Sequence, residues 1–364
     1  MSLDIENEDW VENVRMLVES IGAVVPKDGS LERVRRLRHQ AQGFQRDFWS
    51  TFGEMGWLAM LTGEASGGLG LGLREATALC TELGRGLVPE PLIDALFAIR
   101  LMESAGAIPD GVLTGDVIMV AAWQASAVDL DTHAGVDMVA GQISGKKIAV
   151  DGGTEADLFA VTTSSGVALV PRDSPGLSLT SVPMHDGTFS GEIILDDVAA
   201  ELLPCPDMDA IFHDAMLLHS AYLFGVSERA FEMTLDYLRV RKQFDVLIGS
   251  FQALQHRATE IKVQLELARA AIGAAAAARD LHKEATITRM IVLRAGARTG
   301  CLARLVAREA VQMHGAIGYT DEADIGLYVR KAMVGAGKYG PEFRLRSQFM
   351  GLRETLSENS EVST

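Results

Sequence analysis

Three cysteines in 364 residues, scattered at Cys80, Cys205 and Cys301, are too few and too isolated for a disulfide framework. Without a Cys-x-x-Cys pair or a histidine at ligand spacing they do not make a zinc site either. Basic residues are outnumbered, 33 Lys and Arg against 49 Asp and Glu, and the resulting net charge of −16 argues against a nucleic-acid partner, which needs a basic face. No stretch approaches the roughly 18 to 20 consecutive apolar residues that span a bilayer, so membrane insertion is not expected. The first thirty residues mix charges with short apolar runs, and the reading is a cytoplasmic protein without a signal peptide. Aromatic residues are sparse at 6%, yet 48% of the chain is hydrophobic. That suits a helix-rich globular protein with a deep core and two or three packed domains.

Hydrophobic periodicity divides the chain into three zones: a helical one over 1–115, a β domain over 116–203 and a second helical one over 204–364. In the first, Trp10, Val11, Val14, Leu17, Val18 and Ile21 share a face at helical spacing, and 32–51 reads as one long, charged helix with Gly43 as a mild breaker. The run Gly67-Gly68-Leu69-Gly70-Leu71-Gly72 invites comparison with a phosphate cradle. It lacks the Lys-Ser/Thr of a P-loop and follows no strand, so a loop between helices is expected. In the second zone, short runs at 117–122, 138–143, 147–150, 158–162, 167–170 and 192–198 read as strands between turn residues. In the third, Phe251, Leu254, Ala258, Ile261, Leu265, Ala268 and Ile272 step by three and four, a seam for a helix bundle. The Ala-rich run 270–278 permits close helix approach, within the chain or across subunits.

One segment stands out against the acidic background: "RKQFDVLIGSFQALQH", 241–256, places Arg241, Gln243 and Phe244 ahead of that seam. Taken alone, Arg241 reads as a surface ion pair and Phe244 as core. Five stretches in order nevertheless resemble the acyl-CoA dehydrogenase family along nearly the whole chain. They are "GWLAMLTGEASGGLGLG" (56–72), "TELGRGLVPEP" (81–91), "GQISGKKIAVDGGTEADLFAV" (141–161), the 241–256 segment and "QMHGAIGYTDEADIGLYVRKA" (312–332).

The resemblance implies a mainly α fold with a central β domain: a helical bundle, a β-barrel and a four-helix bundle. It also implies dimers or tetramers with FAD at a subunit interface. The chemistry would be removal of a proton and a hydride from an acyl-CoA to give a 2-enoyl-CoA, with an electron-transfer flavoprotein as acceptor. On this pattern Arg241 reaches the pyrophosphate of FAD held mainly by a neighbour, Gln243 and Phe244 surround its adenosine end, and Phe251 and Gln252 line the same groove. Gln312, Gly315 and Ala316 allow close backbone approach.

The chain also departs from the family. The usual base, a Glu before Gly, is matched by Tyr339 before Gly340, and tyrosine is a poor anionic base near neutral pH. A minority of members carry the base on the first helix of the C-terminal domain; the match there is Ala215, next to Asp214. Glu322 reads as structural. The flavin-binding loop is thinned to "AAWQASAVDLDTHAG", in which Trp123 reads as a buried strand-end residue, and the hairpin Trp-x-Thr is replaced by Ala149-Val150-Asp151. Residues that reach a neighbour's FAD are thus kept, while those that hold the chain's own flavin and deprotonate substrate are changed. Three readings follow: a supporting subunit for a paralogous chain, as in short bacterial members acting on steroid side-chain acyl-CoAs; a chain working alone through Asp214; or a flavin oxidase, oxygenase or desulfinating enzyme on the same scaffold.

Overall fold

The computed structural model describes residues 8–26, 28–41, 43–127, 130–282 and 284–362. Its first part holds α1 (Glu8–Ser20), α2 (Glu32–Leu37), α3 (Arg46–Glu54), α4 (Leu73–Arg85) and α5 (Leu92–Ser104). The expected long helix over 32–51 is instead two short ones. Arg38 is extended, His39 and Gly43 take left-handed φ values of 64° and 71°, and this reversal carries Phe44 into the core at 5% exposure. The apolar face of α1 is narrower than its spacing suggests: Leu17 and Ile21 meet the core, whereas Val11 and Val18 are exposed.

The Gly-rich run is a loop between helices. The backbone N–H groups of Leu73 and Arg74 at the start of α4 donate to the Asp280 carboxylate at 2.7 and 3.1 Å, so that helix terminus is already capped from within the chain. A Cβ on Gly72 would collide with the same carboxylate.

The β region comprises β1 (Met119–Ala122), β2 (Val136–Val139), β3 (Gln142–Asp151), β4 (Leu158–Thr163), β5 (Gly166–Pro171), β6 (Leu177–Pro183), β7 (Phe189–Ala199) and β8 (Leu202–Leu203). Among the described residues these form two open four-stranded sheets, β1-β4-β5-β8 and β2-β3-β7-β6, rather than the closed barrel expected. Among the described residues the only parallel pair is β1 with β4. Bulges in β3, between Ile143 and Gly145 and between Lys147 and Val150, bend that strand without joining the sheets. The runs 138–143 and 147–150 resolve differently from their sequence boundaries, because a turn at Ala140-Gly141 ends β2 and the rest continues through β3.

Between the sheets Val136, Ile143, Val150, Phe159, Val161, Ile193 and Val198 are buried, and so is Lys147. Its Nζ donates to the carbonyls of Trp123 and Ala134 at 2.9 and 2.7 Å and to Thr162 Oγ1 at 3.1 Å, three acceptors for three donors. Burial draws this ammonium down to about 7.

The last part is a bundle of α6 (Met208–Val240), α7 (Gln252–Asp280), α8 (Ala285–His314), α9 (Ile325–Gly335) and α10 (Glu342–Val362). A small hairpin, β9 (Lys242–Gln243) with β10 (Val246–Leu247), joins α6 to α7. Ile261, Leu265, Ala268 and Ile272 of the predicted seam are buried. Where α4 crosses α6, a Cβ on Gly84 would strike the carbonyl oxygen of Tyr222 and one on Gly225 that of Thr81. The two helices therefore meet backbone to backbone, which fixes Tyr222 and its neighbour His219 at the wall described next.

Candidate functional site

A cavity of about 310 Å³ lies where the three parts of the chain meet. Its walls come from the start of α5, the end of β3, the β6–β7 turn, one face of α6 and the stretch from α9 to Lys338. Pro89 and Pro91 end the preceding loop and start α5, so Asp94 stands in its first turn, where the helix dipole favours a carboxylate. Lys338 follows α9 and reaches across: its Nζ lies 2.7 Å from Asp94 Oδ2 and 2.7 Å from Asp151 Oδ2. One ammonium thus ties the N-terminal helices, the β region and the C-terminal bundle together. Seven residues earlier, Lys331 Nζ is 2.6 Å from Asp186 Oδ2 in the β6–β7 turn.

Burial pushes the Asp94 carboxyl up to about 6, against the pull of Lys338. Burial alone would lower Lys338, yet Asp151 and Asp94 together hold it well above its ordinary value. Asp186 and Lys331 likewise resist their burial and stabilise each other's charged form. His219, with Nε2 at 2.9 Å from the Gly335 carbonyl, is drawn down to about 4 by burial and by Lys338, so at neutral pH it is an uncharged imidazole. Tyr222 donates to the Val88 carbonyl at 3.1 Å, and burial lifts its phenol to about 12.

Tyr339, which the sequence resemblance matches to the usual base, is 3% exposed and stacks on Trp123 with ring centroids 5.6 Å apart and planes 12° from parallel. Phe212 packs against both rings. Burial, reinforced by Asp94, raises the Tyr339 phenol well above its ordinary value. Trp123 itself is 2% exposed just beyond β1, the buried strand-end position expected of it.

Asp214 lies elsewhere. On α6 its two oxygens are held by Arg279 of α7, Nε at 2.5 Å and Nη2 at 2.7 Å, and it does not line the cavity. Its place one residue from Ala215 turns it by about 100° around the helix, away from the cavity face. Asp214→Asn is therefore expected to destabilise the chain by about 1–3 kcal/mol, because Arg279 loses its charged partner, without altering substrate-dependent flavin reduction in the flavin-loaded assembly. Thermal unfolding and anaerobic flavin reduction, measured on the same variant, check this. A stable variant that fails to reduce flavin would return the catalytic role to Asp214. Glu322 is exposed before α9, and its neighbours Asp321 and Asp324 pair with Arg38 and Arg35 of the N-terminal helices.

The other sequence-selected residues gather at the far end of the bundle. Tyr237 in the last turn of α6 stacks on His314 at 4.4 Å between centroids and donates to its carbonyl at 3.3 Å, which brings the β9–β10 hairpin beside the Gly315 segment. Arg241, Gln243, Phe244, Phe251, Gln252, Gln312, Gly315 and Ala316 are all exposed there. Arg241 makes no ion pair among the described residues, and Phe244 is 87% exposed, so neither the surface-pair nor the core reading holds. Phe244 and Asp245, with φ of 52° and 64°, occupy the central positions of the hairpin turn, a conformation normally left to Asn and Gly. Gly315 has φ 69° and open space where a Cβ would stand.

Residues 208–342 match the family model "Acyl-CoA dehydrogenase, C-terminal domain" and residues 12–99 "Acyl-CoA dehydrogenase, N-terminal domain". Acyl-CoA dehydrogenase IpdE2 of Mycobacterium tuberculosis is 30% identical over 322 residues, 88% of this chain and 91% of that protein. The chain belongs to the acyl-CoA dehydrogenase family. Acyl-CoA dehydrogenase FadE27 of the same organism is 27% identical over 321 residues, 82% of this chain and 85% of its own. The fold is shared with the ChsE4-ChsE5 complex from Mycobacterium tuberculosis, at TM-score 0.80 and 24% identity over 98% of each chain. It is also shared with the Tcur3481-Tcur3483 steroid ACAD, at TM-score 0.85 and 24% identity over 96% of this chain and 99% of that one. Membership makes this an oxidoreductase of the type that acts on CH–CH groups. No helix among the described residues is long and apolar enough to cross a membrane.

The family's FAD can be weighed against the two places this chain offers it. The outer end fits: an unpaired guanidinium, an aromatic ring held out at a strained turn, and an open glycine backbone beside exposed Val246, Leu247 and Ile317. The cavity does not fit, because Asp151, which the resemblance matches to the family's flavin-bonding hairpin residue, brings an acceptor already bound to Lys338. Asp94, Lys331, Lys338 and His219 escaped the sequence reading. Lys331 and Lys338 at i and i+7 were the only hint of a shared face; nothing in the sequence marks Asp94.

Proposed function

We propose that this chain is the cofactor-completing subunit of a heteromeric acyl-CoA dehydrogenase. It offers Arg241, Gln243 and Phe244, with Gln312, Gly315 and Ala316, to FAD seated mainly in a related subunit that carries the base. When bound, FAD supplies the hydride acceptor for α,β-dehydrogenation of an acyl-CoA thioester, with an electron-transfer flavoprotein as the onward acceptor. The observation that carries this reading is the state of the cavity. Tyr339 stands where the base belongs, and Asp94, Asp151 and Asp186 are each held by a lysine. Glu90, the remaining carboxylate of the lining, is held by Arg33. A general base must be free to turn toward its proton, and each of these carboxylates is instead anchored as the counter-ion of a lysine or arginine.

Relatives of the same fold support the assembly, since Tcur3481-Tcur3483 and ChsE4-ChsE5 are two-component by name. The first is called a steroid ACAD, and we take bulky, ring-bearing acyl-CoAs as the substrate class. The test is FAD content. Purified alone, the chain is expected to retain little flavin, and co-expression with a paralogous acyl-CoA dehydrogenase subunit is expected to restore it. One FAD per chain in the protein alone would overturn the proposal and turn attention to Asp94, the cavity carboxyl that burial pushes up to about 6.

A further inference from the structure

A second cavity, of about 360 Å³, opens on the outer side of the C-terminal bundle between α7, α8 and α10. Its volume falls in the roughly 300–1,000 Å³ range of small-ligand pockets. Arg294, Arg298 and Arg346 line it over an apolar floor that includes Leu293, Leu345 and Phe349. In a chain of net charge −16 this is an unusual concentration of cations. Among the described residues Arg298 is spent only on the side-chain amide of Gln264, at 3.1 Å. Arg346 shares Glu342 with Arg304, each pair at 2.5 Å. Arg294 has no ion pair or hydrogen bond among the described residues. Among the described residues Glu342 therefore answers Arg304 and Arg346, and Arg294 and Arg298 are left without an anion beside an apolar recess.

We propose that this recess binds an anionic amphiphile, a carboxylate carrying an apolar tail. Two guanidinium forks suit the planar head bidentately, and the floor of leucines and Phe349 suits the tail. Neither a bare anion nor a neutral hydrocarbon uses both halves of the site. A small space separates the recess from the first cavity, with which that space shares His219, Gly335 and Lys338. Leu345 lines the recess and, on its other side, that small space together with His219, Lys338, Tyr339 and Gly340. A tail seated on Leu345 thus lies one side chain from the backbone at the family's base position.

Cys301 provides the reporter, being half-buried in the recess while Cys80 and Cys205 are buried in the core. The experiment is isothermal titration of sodium decanoate, below its micelle concentration, into the full-length protein in its native assembly. Alkylation of Cys301 is followed in parallel. Saturable binding at one site per chain is expected, with decanoate slowing alkylation. Decanol and inorganic phosphate should each bind about tenfold more weakly or worse. The double variant Arg294→Ala, Arg298→Ala should weaken decanoate at least about tenfold. Met350→Glu should do the same by repulsion from an exposed rim position, in case the double variant misfolds. Undiminished decanoate binding by a folded variant would overturn the proposal. So would a Cys301 that resists alkylation before any ligand is added, which would mean that another subunit covers the recess.

Discussion

Replacing Lys338 by methionine is expected to lower stability by about 3 kcal/mol near neutral pH, the lower end of the range for breaking a buried ion pair. Asp94, 3% exposed, would be left facing Asp151 without the cation between them. The cost stops short of the upper end because the Asp151 side chain is 44% exposed and water screens it. Asp94 can also take up a proton. Its carboxyl already titrates near 6 in the fold, above its ordinary 3.8, so its contribution is most favourable below about 4 and is lost as pH rises through 6. Loss of Lys338 moves that upper limit higher, and the variant should therefore be less impaired at roughly pH 5 than at roughly pH 8. Asp94→Asn should behave in the opposite way. It leaves a neutral Lys338–Asp151 pair, so stability is kept or raised near pH 8, and the difference from the parent fades toward pH 5. Thermal unfolding of the three proteins across this range decides the matter. Equal destabilisation at every pH would mean that the lysine only fills space.

The second large effect concerns the opposite end of the molecule. In the assembled enzyme Arg241→Ala is expected to weaken FAD retention roughly 10- to 100-fold, the loss of one or two charge-assisted hydrogen bonds at about 1.5–3 kcal/mol each. The unfolding midpoint of the chain alone should not move, because Arg241 is exposed and has no ion pair among the described residues. Those two readouts separate a cofactor contact from a structural role. Flavin retained at full affinity would exclude Arg241 from the site.

Much of this architecture was legible because periodicity reports burial. The seam of α7 and the short runs of the β region follow directly from which side chains must leave water. The outer end was legible for another reason, since Arg241, Phe244 and Gly315 belong to an ordered set of stretches shared with a known family. The cavity was not. Asp94, Asp151 and Lys338 lie 57 and 187 residues apart in sequence, and an ion triad assembled across three parts of the chain leaves no local pattern. Asp214 misled because position along a helix is only half of an address; the other half is the face, and Arg279 takes that face from another helix. The break at 38–45 was hidden for a related reason: it is driven by Phe44 finding the core, which no count of helix formers reveals.

The carboxylate of Asp280 closes the first turn of α4 from 207 residues further along the chain. Nearby, Gly84 and Gly225 leave no room for a side chain between α4 and α6. The frontier drawn at residue 115 by composition is therefore not a line along which the protein can be divided. Excising the first helices would strip Asp280 of its amide donors and uncover a bare stripe of α6 backbone. Gene fragments that stop at that frontier are poor starting material for expression, and a proteolytic nick there should leave the two pieces clasped. For an engineer fusing or splitting this subunit, the tolerant places are the exposed turns of the outer β sheet, such as Ala140-Gly141, rather than the apparent joint between domains.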